Sequence, residues 1–516
     1  MISVEVDHLK GLRWAIDLKK HAVYGKQKLE KKLIDMCGIV GVLGTNKASS
    51  ELYNGLYAIQ HRGQNGAGMY VASEENTKLV KGRGLIDEVF DKKTLGSFEG
   101  NWGIGHVRYP TIGSNIEIDA QPFKVEDPIE IGMVHNGNIV NYDEMVEKYD
   151  LDLKSSCDLE LILNVFAEEL KKEDEIDRDA LFSSAERCME NLNGSYSVIT
   201  LIPGFGLFIF RDPRGIRPFV LGKRVNLDGT SFALASENTV LDILGYKVLR
   251  DITPGEAILI DEDKSYLSRQ IKNVLPKHCM FEWVYFARTD STIERINVYE
   301  ARFRLGRELA KVWKNTPHKL DVVVPVPDTA RTYALALAEE LKIPYREGLM
   351  RNRYVGRTFI MPDQTSRETA VKTKLNPIIE EVKGKKVGLV DDSIVRGTTS
   401  KKLVNLMRKA GAEEVHFLVG CPPIVSPCYY GIDIPTKEEL KAASNSIEEI
   451  RKEIGADSLT YQNIDGLVRG LTKEKEELCL ACLDENYPTK VREDIREYFE
   501  EMRKESREKI SQESNT

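Results

Sequence analysis

Short apolar runs separated by glycine-containing turns dominate the first half of the chain. Residues 37–44 form an apolar, β-branched run between glycines, which predicts a buried strand. Leu52, Leu56 and Ile59 share one face of a predicted helix, and another helix is predicted around residues 159–170. Further strands are predicted at 102–108, 131–134, 196–202, 207–210, 232–235 and 257–260. Up to about residue 270 this mixture predicts an α+β sandwich.

The pattern changes to alternating helices and strands from about residue 300. Helices are predicted at 299–313, around 334–341 and at 403–410, and strands at 322–326, 386–390 and 415–419. This alternation is typical of a parallel, doubly wound α/β sheet. From Thr436 the chain becomes charged and is predicted to be helical, with Thr436 and Glu439 forming a capping box. We therefore divide the chain into an extension, a first domain, a second domain and a helical C-terminal region, at residues 1–36, 37–270, 271–435 and 436–516.

Charge and composition exclude several classes of function. The 516 residues include 73 Lys and Arg against 81 Asp and Glu, and the net charge of -8 argues against broad binding of nucleic acid or anionic membranes. No run approaches the roughly 18 apolar residues of a membrane-spanning helix, and the first residues lack the apolar core of a secretory signal. We expect a cytoplasmic protein, whose eight cysteines serve as ligands, nucleophiles or core residues rather than in disulfides.

A phosphate site is indicated at residues 390–399, which follow a predicted strand and open a helix. Backbone N–H groups at such a turn bind anions, and Gly397 lets the backbone approach a phosphate closely. Asp391 and Asp392 would repel a bare phosphate, so they indicate ribose hydroxyls or Mg²⁺ as further ligands. The segment is not a Walker loop, because the Gly-Lys-Thr/Ser end of that motif is missing. The alternative to a phosphate site is an acidic turn that only caps the helix. Hydroxyl donors are added by Ser393, Thr398 and Thr399.

This segment resembles the phosphoribosyl pyrophosphate (PRPP) loop of type I phosphoribosyltransferases. The resemblance implies that Asp391 and Asp392 contact the ribose hydroxyls and, with Thr329, lie at a magnesium ion near the pyrophosphate. Residues 351–360 resemble the family's mobile loop that closes on PRPP, and Arg357 there would offset the pyrophosphate charge. The alternative interpretation is that the arginines of that segment lie on a solvated surface strand. The residues implied to wrap the 5′-phosphate are Ser393, Arg396, Gly397, Thr398 and Thr399.

A second candidate site begins at Cys37. If the chain is cut after Met36, Cys37 carries an α-amine with a pKa of about 8, which can serve as the base for its own thiol. A nucleophile also needs an oxyanion hole and substrate anchors. Asn136 and the N–H of Gly137 can donate to an oxyanion, Arg108 can bind a carboxylate and Asp158 can pair with an ammonium group. The alternative is a core strand that carries an inert cysteine.

These residues resemble the class II glutamine amidotransferase domain of the N-terminal-nucleophile type. The segments 61–64, 105–110, 135–139, 211–218, 236–237 and 251–256 also match that family. The resemblance implies an αββα sandwich, with Cys37 as nucleophile. It also implies that Asn136 and Gly137 form the oxyanion hole, and that Arg108 and Asp158 clamp the glutamine α-carboxylate and α-amine. One departure is that the usual Ser-Asp-Ser/Thr-Glu reads Cys-Asp-Leu-Glu at residues 157–160.

Four cysteines form a candidate metal site. Cys479 and Cys482 make a C-x-x-C motif, and Cys279 and Cys428 are the best-placed further ligands. Four thiolates suit Zn²⁺ or a [4Fe–4S] cluster, and the spacing does not separate the two. The quartet resembles the cluster-bearing branch of glutamine PRPP amidotransferases, which implies a non-catalytic [4Fe–4S] cluster that fastens the C-terminal helices. Core packing is expected for Cys157, Cys188 and Cys421.

Taken in order, the segments from Cys37 to about Thr489 resemble one family, the amidophosphoribosyltransferases. The resemblance implies that glutamine, PRPP and water give 5-phosphoribosylamine, glutamate and pyrophosphate at the first committed step of purine synthesis. Ammonia would travel through a tunnel completed by closure of residues 351–360. We further expect inhibition by purine nucleotides, a homo-oligomer (dimer or tetramer), and no nucleic-acid or membrane partner.

Other interpretations remain open. The extension 1–36 is interpreted as a propeptide, but an upstream start with Met36 as the true initiator would expose Cys37 equally well. PRPP-loop folds also occur in non-catalytic, nucleotide-sensing regulators, which lack an amidotransferase domain and carry basic DNA-binding elements. A third hypothesis is an amidotransferase with another acceptor, such as a sugar phosphate or aspartate, whose acceptor domain does not need Asp391 and Asp392.

Overall fold

The computed structural model describes residues 35–110, 116–227, 229–352, 375–493 and 496–497. The predicted propeptide therefore lies almost wholly outside the described residues. The predicted PRPP-closing loop also lies outside them from residue 353 onward, and Arg357 with it. None of the helices in the described ranges is both long and apolar enough to cross a bilayer.

The first domain is built from strands β1–β13 and helices α1–α8. The strands are β1 (Asp35–Leu43), β2 (Gly66–Ala72), β3 (Thr77–Arg83), β4 (Trp102–Pro110), β5 (Phe123–Val125), β6 (Ile131–Ile139), β7 (Gly194–Ile202), β8 (Gly206–Arg211), β9 (Val220–Asn226), β10 (Gly229–Ala235), β11 (Lys247–Asp251), β12 (Glu256–Asp261) and β13 (Tyr266–Gln270). The helices are α1 (Ala48–Ala58), α2 (Ile86–Val89), α3 (Lys92–Gly96), α4 (Ile116–Asp119), α5 (Tyr142–Lys148), α6 (Asp158–Leu170), α7 (Arg178–Asn191) and α8 (Asn238–Leu244).

Two antiparallel sheets form the centre of this domain. Seven of the described strands pair in the order β11-β9-β10-β1-β4-β2-β3, and six pair in the order β13-β12-β8-β7-β6-β5. Strand β1 lies in the middle of the first sheet, where Cys37 is opposite Arg108 of β4 and Val40 is opposite Ala235 of β10. A residue on β1 is therefore surrounded by protein on both sides.

The two sheets face each other across one apolar layer. Ile39, Ile104 and Val134 belong to this inter-sheet core. The alternate residues Val40 and Val107 pack on the outer face of the first sheet with helix α1, because successive side chains of a strand point to opposite faces. Helices α6 and α7 cover the outer face of the second sheet. The predicted αββα sandwich is confirmed.

Helix α7 was missed by the sequence prediction, which gave one helix in this region. Its buried face does follow helical spacing, but small residues make up much of it, so the apolar pattern is weak. Asp177 caps the start of the helix, because its carboxylate accepts a hydrogen bond from the backbone N–H of Ala180 at 2.8 Å. It packs on α6 and completes the outer helical layer.

The second domain and the C-terminal region contain strands β14–β23 and helices α9–α16. The strands are β14 (His278–Cys279), β15 (Thr292–Ile293), β16 (Ile296–Asn297), β17 (Val322–Pro325), β18 (Leu349–Arg351), β19 (Leu375–Pro377), β20 (Lys386–Asp391), β21 (Glu414–Val419), β22 (Ser458–Tyr461) and β23 (Leu478–Cys479). The helices are α9 (Val298–Trp313), α10 (Arg331–Leu341), α11 (Ile379–Val382), α12 (Thr398–Lys409), α13 (Lys441–Ser444), α14 (Ile447–Ile454), α15 (Ile464–Leu471) and α16 (Ala481–Asp484).

The core of the second domain is a parallel sheet in the order β17-β20-β21-β22. Helices α9 and α10 pack together beside it, and so do α12 and α14. The predicted parallel α/β sheet is confirmed. The carboxyl ends of β17 and β20 meet at one edge, because Pro325 is opposite Val390, and this edge is where ligands bind in such sheets.

The C-terminal region differs from its prediction in two respects. It was expected to be helical, but β22 adds the fourth strand to the parallel sheet. The predicted capping box at Thr436 does not form, because the Thr436 hydroxyl donates to the Glu439 carboxylate at 3.1 Å and caps no backbone N–H. A capping box is present instead at Ser446 and Glu449, at the start of α14.

Candidate active site

Cys37 is buried at the inner face of β1. Its partner on β4 is Arg108, and both residues are fully buried. Cys37 lies two residues from Ile39, and Arg108 lies four residues from Ile104, so both side chains point into the layer between the sheets. The predicted nucleophile and one predicted substrate anchor therefore lie side by side.

Asn136 lies on β6 of the facing sheet and points into the same layer. Its Nδ2 donates to the Oγ of Ser236 at 3.4 Å. The same Oγ accepts a hydrogen bond from the backbone N–H of Ile39 at 3.1 Å, and the N–H of Ser236 donates to the Ile39 carbonyl at 3.1 Å. Ser236 therefore ties the amide of Asn136 to β1, two residues from Cys37. The amide nitrogen has two protons, and Ser236 accepts one of them.

Gly137 follows Asn136 in a conformation that other residues rarely adopt. Its φ is +155°, and a Cβ added there would lie 1.9 Å from the carbonyl oxygen of Ser195 on β7. The position therefore needs glycine so that β6 and β7 can pair at this point.

Asp158, the other predicted anchor, is the first residue of α6 and is buried. Its Oδ2 accepts a hydrogen bond from the backbone N–H of Ile139 at 3.0 Å and lies 3.6 Å from Nε2 of His135. The carboxylate is therefore fixed at the end of β6, close to the oxyanion candidates. A carboxylate at a helix N-terminus is also favoured by the helix dipole.

A chain of buried charges runs from the first domain to the segment that opens the second. Nε of Arg62 lies 2.7 Å from Oε1 of Glu237, and its Nη2 lies 2.5 Å from Oε2 of Glu282. Nη2 of Arg217 lies 2.7 Å from Oε1 of Glu282. Both guanidinium groups lie over the ring of Phe286, at 4.5 and 5.5 Å. The first domain is therefore joined to residues 282–286 by paired charges rather than by apolar contacts alone.

Glu237 is the centre of this chain. Besides Arg62, it binds Nε2 of His61 at 2.8 Å, the backbone N–H of Arg288 at 3.0 Å and the hydroxyl of Ser291. Burial alone would raise the pKa of Glu237, but the positive charges of His61 and Arg62 hold that pKa well below its ordinary value. Glu237 is therefore ionised in the folded protein.

One cavity of about 1170 Å³ adjoins both domains. His61 and Tyr109 line it from the first domain; Tyr109 directly follows Arg108, and His61 pairs with Glu237. Apolar parts of its wall come from Phe281, Phe286, Val326, Ile432 and Ile434. Its second-domain wall includes Thr329, Asp391, Asp392, Ser393, Arg396, Gly397, Thr398 and Thr399. The described residues of the predicted PRPP site are therefore gathered around one space that extends to the edge of the predicted glutamine site.

The predicted phosphate loop connects β20 to α12. Gly397 directly precedes the helix with φ of +72°, a left-handed conformation that glycine adopts at little cost. Thr398 and Thr399 form the first turn, so their N–H groups lie at the positive end of the helix dipole. An anion in the cavity would meet these groups directly.

Asp391 and Asp392 are buried at the start of this loop. Burial and the neighbouring charge of Asp392 raise the pKa of Asp391, and burial also raises the pKa of Asp392. Among their described contacts, the Ser393 hydroxyl donates to Asp392 at 2.7 Å. Two adjacent carboxylates that are poorly compensated are hard oxygen donors, and they suit a divalent cation or sugar hydroxyls.

Two other predicted residues lie at the same cavity. Thr329 lines it from the loop after β17. Arg396 lines it too, and its Nε lies 2.8 Å from Oε2 of Glu439. Arg357 falls outside the described residues, so its predicted role stays a prediction.

The four predicted cluster cysteines come from three separate segments that pack together. Cys279 and Cys479 are directly opposite each other in the parallel pair β14 and β23. The carbonyl of Cys482 accepts hydrogen bonds from the N–H groups of Val425 and Ser426, at 2.9 and 3.2 Å, shortly before Cys428. These contacts fix the C-terminal end of the described chain against the second domain.

The donor chemistry of these cysteines fits a thiolate-bound group. Burial raises the pKa of Cys279 to about 12 and also raises those of Cys479 and Cys482, and the neighbouring thiols of the quartet add to each shift. Without a positive ion these thiols are neutral. In the described part of the chain, no three His, Cys, Asp or Glu side chains are already arranged to hold a metal ion. The pairing of Cys279 with Cys479 and the contacts of Cys482 with residues 425–426 nevertheless bring the segments of the four cysteines together, and thiolates are the donors that such a group needs.

Two sets of contacts around the site were not predicted from the sequence. Arg302 of α9 is buried and donates to the carbonyls of Trp283, Tyr285 and Ala287 at 2.8–3.0 Å, which holds the segment at the cavity wall. An arginine in an amphipathic helix is normally predicted to be exposed. Ser236 was noted only within a matching segment, because its hydrogen bonds depend on the pairing of β1 with β10.

Comparisons with known proteins agree with this geometry. Residues 106–242 match the model of the glutamine amidotransferase domain, and residues 293–427 match that of the phosphoribosyl transferase domain. The amidophosphoribosyltransferase of Methanothermobacter thermautotrophicus is 44% identical over 485 residues, which cover 93% of this chain and 99% of the relative. That of Escherichia coli is 42% identical over 456 residues, which cover 86% and 90%.

Solved structures give the same result. The glutamine PRPP amidotransferase from Bacillus subtilis, complexed with ADP and GMP, is 38% identical and superposes with a TM-score of 0.80 over 89% of this chain and 98% of that chain. The similarity extends through both domains, as the sequence motifs predicted. The chain belongs to the amidophosphoribosyltransferase family.

Proposed function

We propose that this protein transfers the amide nitrogen of glutamine to C1 of PRPP at the start of purine biosynthesis. Glutamine, PRPP and water give 5-phospho-β-D-ribosylamine, glutamate and pyrophosphate. The observation that carries the proposal is the single cavity bounded by His61 and Tyr109 of the first domain and by Asp391 and Asp392 of the second. A glutaminase alone would not need the acidic phosphate loop, and a phosphoribosyltransferase alone would not need Cys37.

The first half-reaction uses Cys37 after the chain is cut behind Met36. The freed α-amine takes the thiol proton, and the thiolate attacks the side-chain amide carbon of glutamine. The tetrahedral intermediate collapses when the C–N bond breaks, and the proton held by the amine passes to the leaving nitrogen. Ammonia departs and a γ-glutamyl thioester remains. Water then hydrolyses the thioester to glutamate and restores the thiol.

The groups around Cys37 have complementary roles in this step. Nδ2 of Asn136 and the N–H of Gly137 donate to the developing oxyanion. The hydrogen bond from Asn136 to Ser236 supports this role because it holds the amide in the inter-sheet layer. Arg108 binds the glutamine α-carboxylate and Asp158 binds the α-amine, and burial of both residues strengthens these charge interactions.

The second half-reaction takes place at the other end of the cavity. Ammonia must remain unprotonated until it reaches C1 of PRPP, and apolar side chains such as Phe281, Ile432 and Ile434 keep bulk water from part of this space. The ammonia nitrogen then bonds to C1 while the bond from C1 to the pyrophosphate oxygen breaks. The N–H groups of Thr398 and Thr399 hold the 5′-phosphate.

Asp391, Asp392 and Thr329 are the residues proposed to lie at a magnesium ion. Their oxygen atoms are the ligand type that Mg²⁺ prefers, and the raised pKa values of the two carboxyls fit a site that gains a positive charge with its substrate. When bound, Mg²⁺ would neutralise charge on the departing pyrophosphate. The carboxylates themselves orient the ribose hydroxyls.

Cys279, Cys428, Cys479 and Cys482 are proposed to hold a [4Fe–4S] cluster. The pairing of β14 with β23 and the Cys482 contacts to residues 425–426 support this proposal, because they bring the segments of the four cysteines together. The cluster would fasten the C-terminal segment to the second domain and take no part in the reaction. Metal analysis separates iron from zinc.

Regulation and assembly are further parts of the proposal. The B. subtilis relative was solved with ADP and GMP. Purine nucleotides carry the phosphate and ribose that the loop at Asp391 and Gly397 would recognise, so we expect them to compete with PRPP. We also expect a homo-oligomer, either a dimer or a tetramer, and light scattering after size-exclusion chromatography would measure it.

The decisive experiment measures glutaminase and synthase activity together. Protein whose N-terminus is verified as Cys37 should hydrolyse glutamine faster when PRPP is added. Cys37→Ala should lose synthesis from glutamine but keep synthesis from ammonium chloride and PRPP. Asp392→Asn should show the reverse, with residual glutaminase and no synthesis from either nitrogen source.

Controls make the outcome specific. Glu126 is an exposed carboxylate of the first domain, and Glu126→Gln should leave all three rates unchanged. A mature N-terminus elsewhere than Cys37, or equal loss of ammonia-dependent synthesis in Cys37→Ala, would contradict the proposal.

A further inference from the structure

Asp119 connects two parts of the first domain that are distant in sequence. Its Oδ1 accepts a hydrogen bond from the backbone N–H of Ser156 at 2.9 Å, and its Oδ2 accepts one from the Ser156 hydroxyl at 3.0 Å. The same Oδ2 lies 3.7 Å from Nη1 of Arg108. Ser156 lies two residues before Asp158, so one carboxylate touches Arg108 and the turn that leads to Asp158.

The three contacts are buried and differ in kind. The side chain of Asp119 is 3% exposed and that of Arg108 is fully buried. Two hydrogen bonds of normal length fix the carboxylate on Ser156. The longer distance to Arg108 is a charge contact, which is strong in a buried environment but leaves the guanidinium its other contacts.

Neighbouring residues anchor the same short segment. The amide oxygen of Gln121 accepts a hydrogen bond from the backbone N–H of His135 at 2.8 Å, directly before Asn136. Nζ of Lys81 donates to the Ala120 carbonyl at 2.5 Å. Residues 119–121 therefore hold the turn before Asp158 and the strand that carries the oxyanion candidates, and Asp119 also contacts Arg108.

We propose that Asp119 is a positioning residue for glutamine binding, which holds Arg108 and the start of α6 at a fixed separation. This inference rests on the proposed roles of Arg108 and Asp158 and adds a residue that neither the motifs nor the comparisons assign. Glutamine has its carboxylate and ammonium group on one carbon, so the two arms of its clamp must keep their spacing to bind both. Asp119 would act on glutamine through Arg108 and Ser156.

A positioning role predicts a specific kinetic pattern. Asp119→Ala removes all three contacts, and it should raise KM for glutamine about tenfold or more while synthesis from ammonia and PRPP stays within about twofold of wild type. Alkylation of Cys37 by iodoacetamide, which needs no clamp, should keep its rate. Ser156→Ala removes only the hydroxyl contact, so KM should rise by about two- to fivefold.

The matched control is Asp127, whose side chain is 81% exposed and pairs with Lys171. Asp127→Ala should leave KM for glutamine unchanged. If Asp119→Ala fails to fold, Ser156→Ala still tests the idea, because a merely structural contact would not raise KM selectively.

The outcomes separate this inference from the proposed function. An unchanged glutamine KM in folded Asp119→Ala, or in Ser156→Ala when the first variant does not fold, would overturn the inference. So would an equal loss of the ammonia-dependent rate. Failure of the proposed function would instead appear in the wild-type protein, as absent PRPP-dependent turnover of glutamine.

Discussion

The carboxylate of Glu237 accepts a hydrogen bond from the hydroxyl of Ser291, and this contact joins the two domains beside both candidate sites. Glu237 directly follows Ser236, which holds the amide of Asn136. Ser291 lies in the segment after Arg288, whose side chain lines the shared cavity. Hydrogen bonds to the adjacent residues Ser236 and Glu237 therefore link the oxyanion candidate to the wall of the PRPP site.

Loss of the Glu237 charge should destabilise the protein strongly. Glu237→Gln leaves Arg62 and its surroundings with an uncompensated buried charge, which typically costs about 3–5 kcal/mol. We expect the free energy of unfolding, measured by urea denaturation, to fall by about 3 kcal/mol. The exposed Glu126→Gln variant serves as the control and should change it by less than about 0.5 kcal/mol. An equally small change in Glu237→Gln would contradict a stabilising role for the chain of buried charges.

The same carboxylate predicts a dependence of stability on pH. Although burial opposes it, His61 and Arg62 depress the pKa of Glu237 in the folded protein. A carboxyl with a depressed folded pKa stabilises the fold above its unfolded pKa of about 4.3, and this contribution is lost as the pH falls towards the folded value. Between pH 5 and pH 3 the wild type should therefore lose more stability than Glu237→Gln. Parallel melting curves over this range would refute the assignment.

The pKa shift of Asp391 predicts a dependence of stability on pH that is opposite to that of Glu237. Burial and the adjacent Asp392 raise its pKa, so its ionised form destabilises the folded protein at pH values above the unfolded pKa of about 3.9. Asp391→Asn should therefore raise the free energy of unfolding at pH 7 by about 1–3 kcal/mol, with a smaller gain at lower pH. It should also abolish stabilisation by PRPP with Mg²⁺. A melting temperature lowered at pH 7 would count against this explanation.

Much of the fold could be predicted because its strands and helices carry strong local patterns. A strand is predicted at 386–390 because residues 387–390 are apolar or glycine, and the structure has β20 (Lys386–Asp391) there. Helix α7 was missed because its buried face contains small residues such as Ala180, Ala185 and Cys188. Strand β22 was missed because Ser458–Tyr461 is short and gains its partner only from the sheet. The local sequence pattern therefore predicted the helices and strands that bury large apolar side chains. It missed elements whose formation depends on tertiary contacts.

The residues of the candidate site show the same difference between local pattern and tertiary contact. Motifs predicted Cys37 and Asp391 as site residues, because their proposed chemistry depends on residue type and local spacing. The contacts of Asp119 with Ser156 and Arg108 were not predicted, because they join segments through the packing of two sheets. Glu282 and Arg302 were missed for a related reason, since a charged residue has no pattern that announces burial. The residues that support the site through tertiary contacts could therefore be found only from the structure.

Gly137 should tolerate no side chain. A Cβ at this position would lie 1.9 Å from the Ser195 carbonyl, and φ of +155° is unfavourable for alanine. Gly137→Ala should lower the free energy of unfolding by at least about 2 kcal/mol and reduce glutaminase activity more than ammonia-dependent synthesis. Gly204 has φ of +87° but open space around it, so Gly204→Ala separates backbone strain from steric overlap. Comparable effects in both variants would assign the loss to strain alone.

The cysteine quartet predicts a metal content that can be measured directly. Protein purified without oxygen should contain about four iron atoms per chain and absorb visible light as an iron–sulfur protein does. Cys279→Ser and Cys479→Ser remove opposite members of the β14–β23 pair, so each should lose the iron and lower the melting temperature, because the C-terminal segment is no longer fastened. Cys188→Ala, in the core of helix α7, should keep the iron. Zinc in place of iron would preserve the fastening role but exclude the [4Fe–4S] assignment, and full iron content in Cys479→Ser would show that the ligands lie elsewhere.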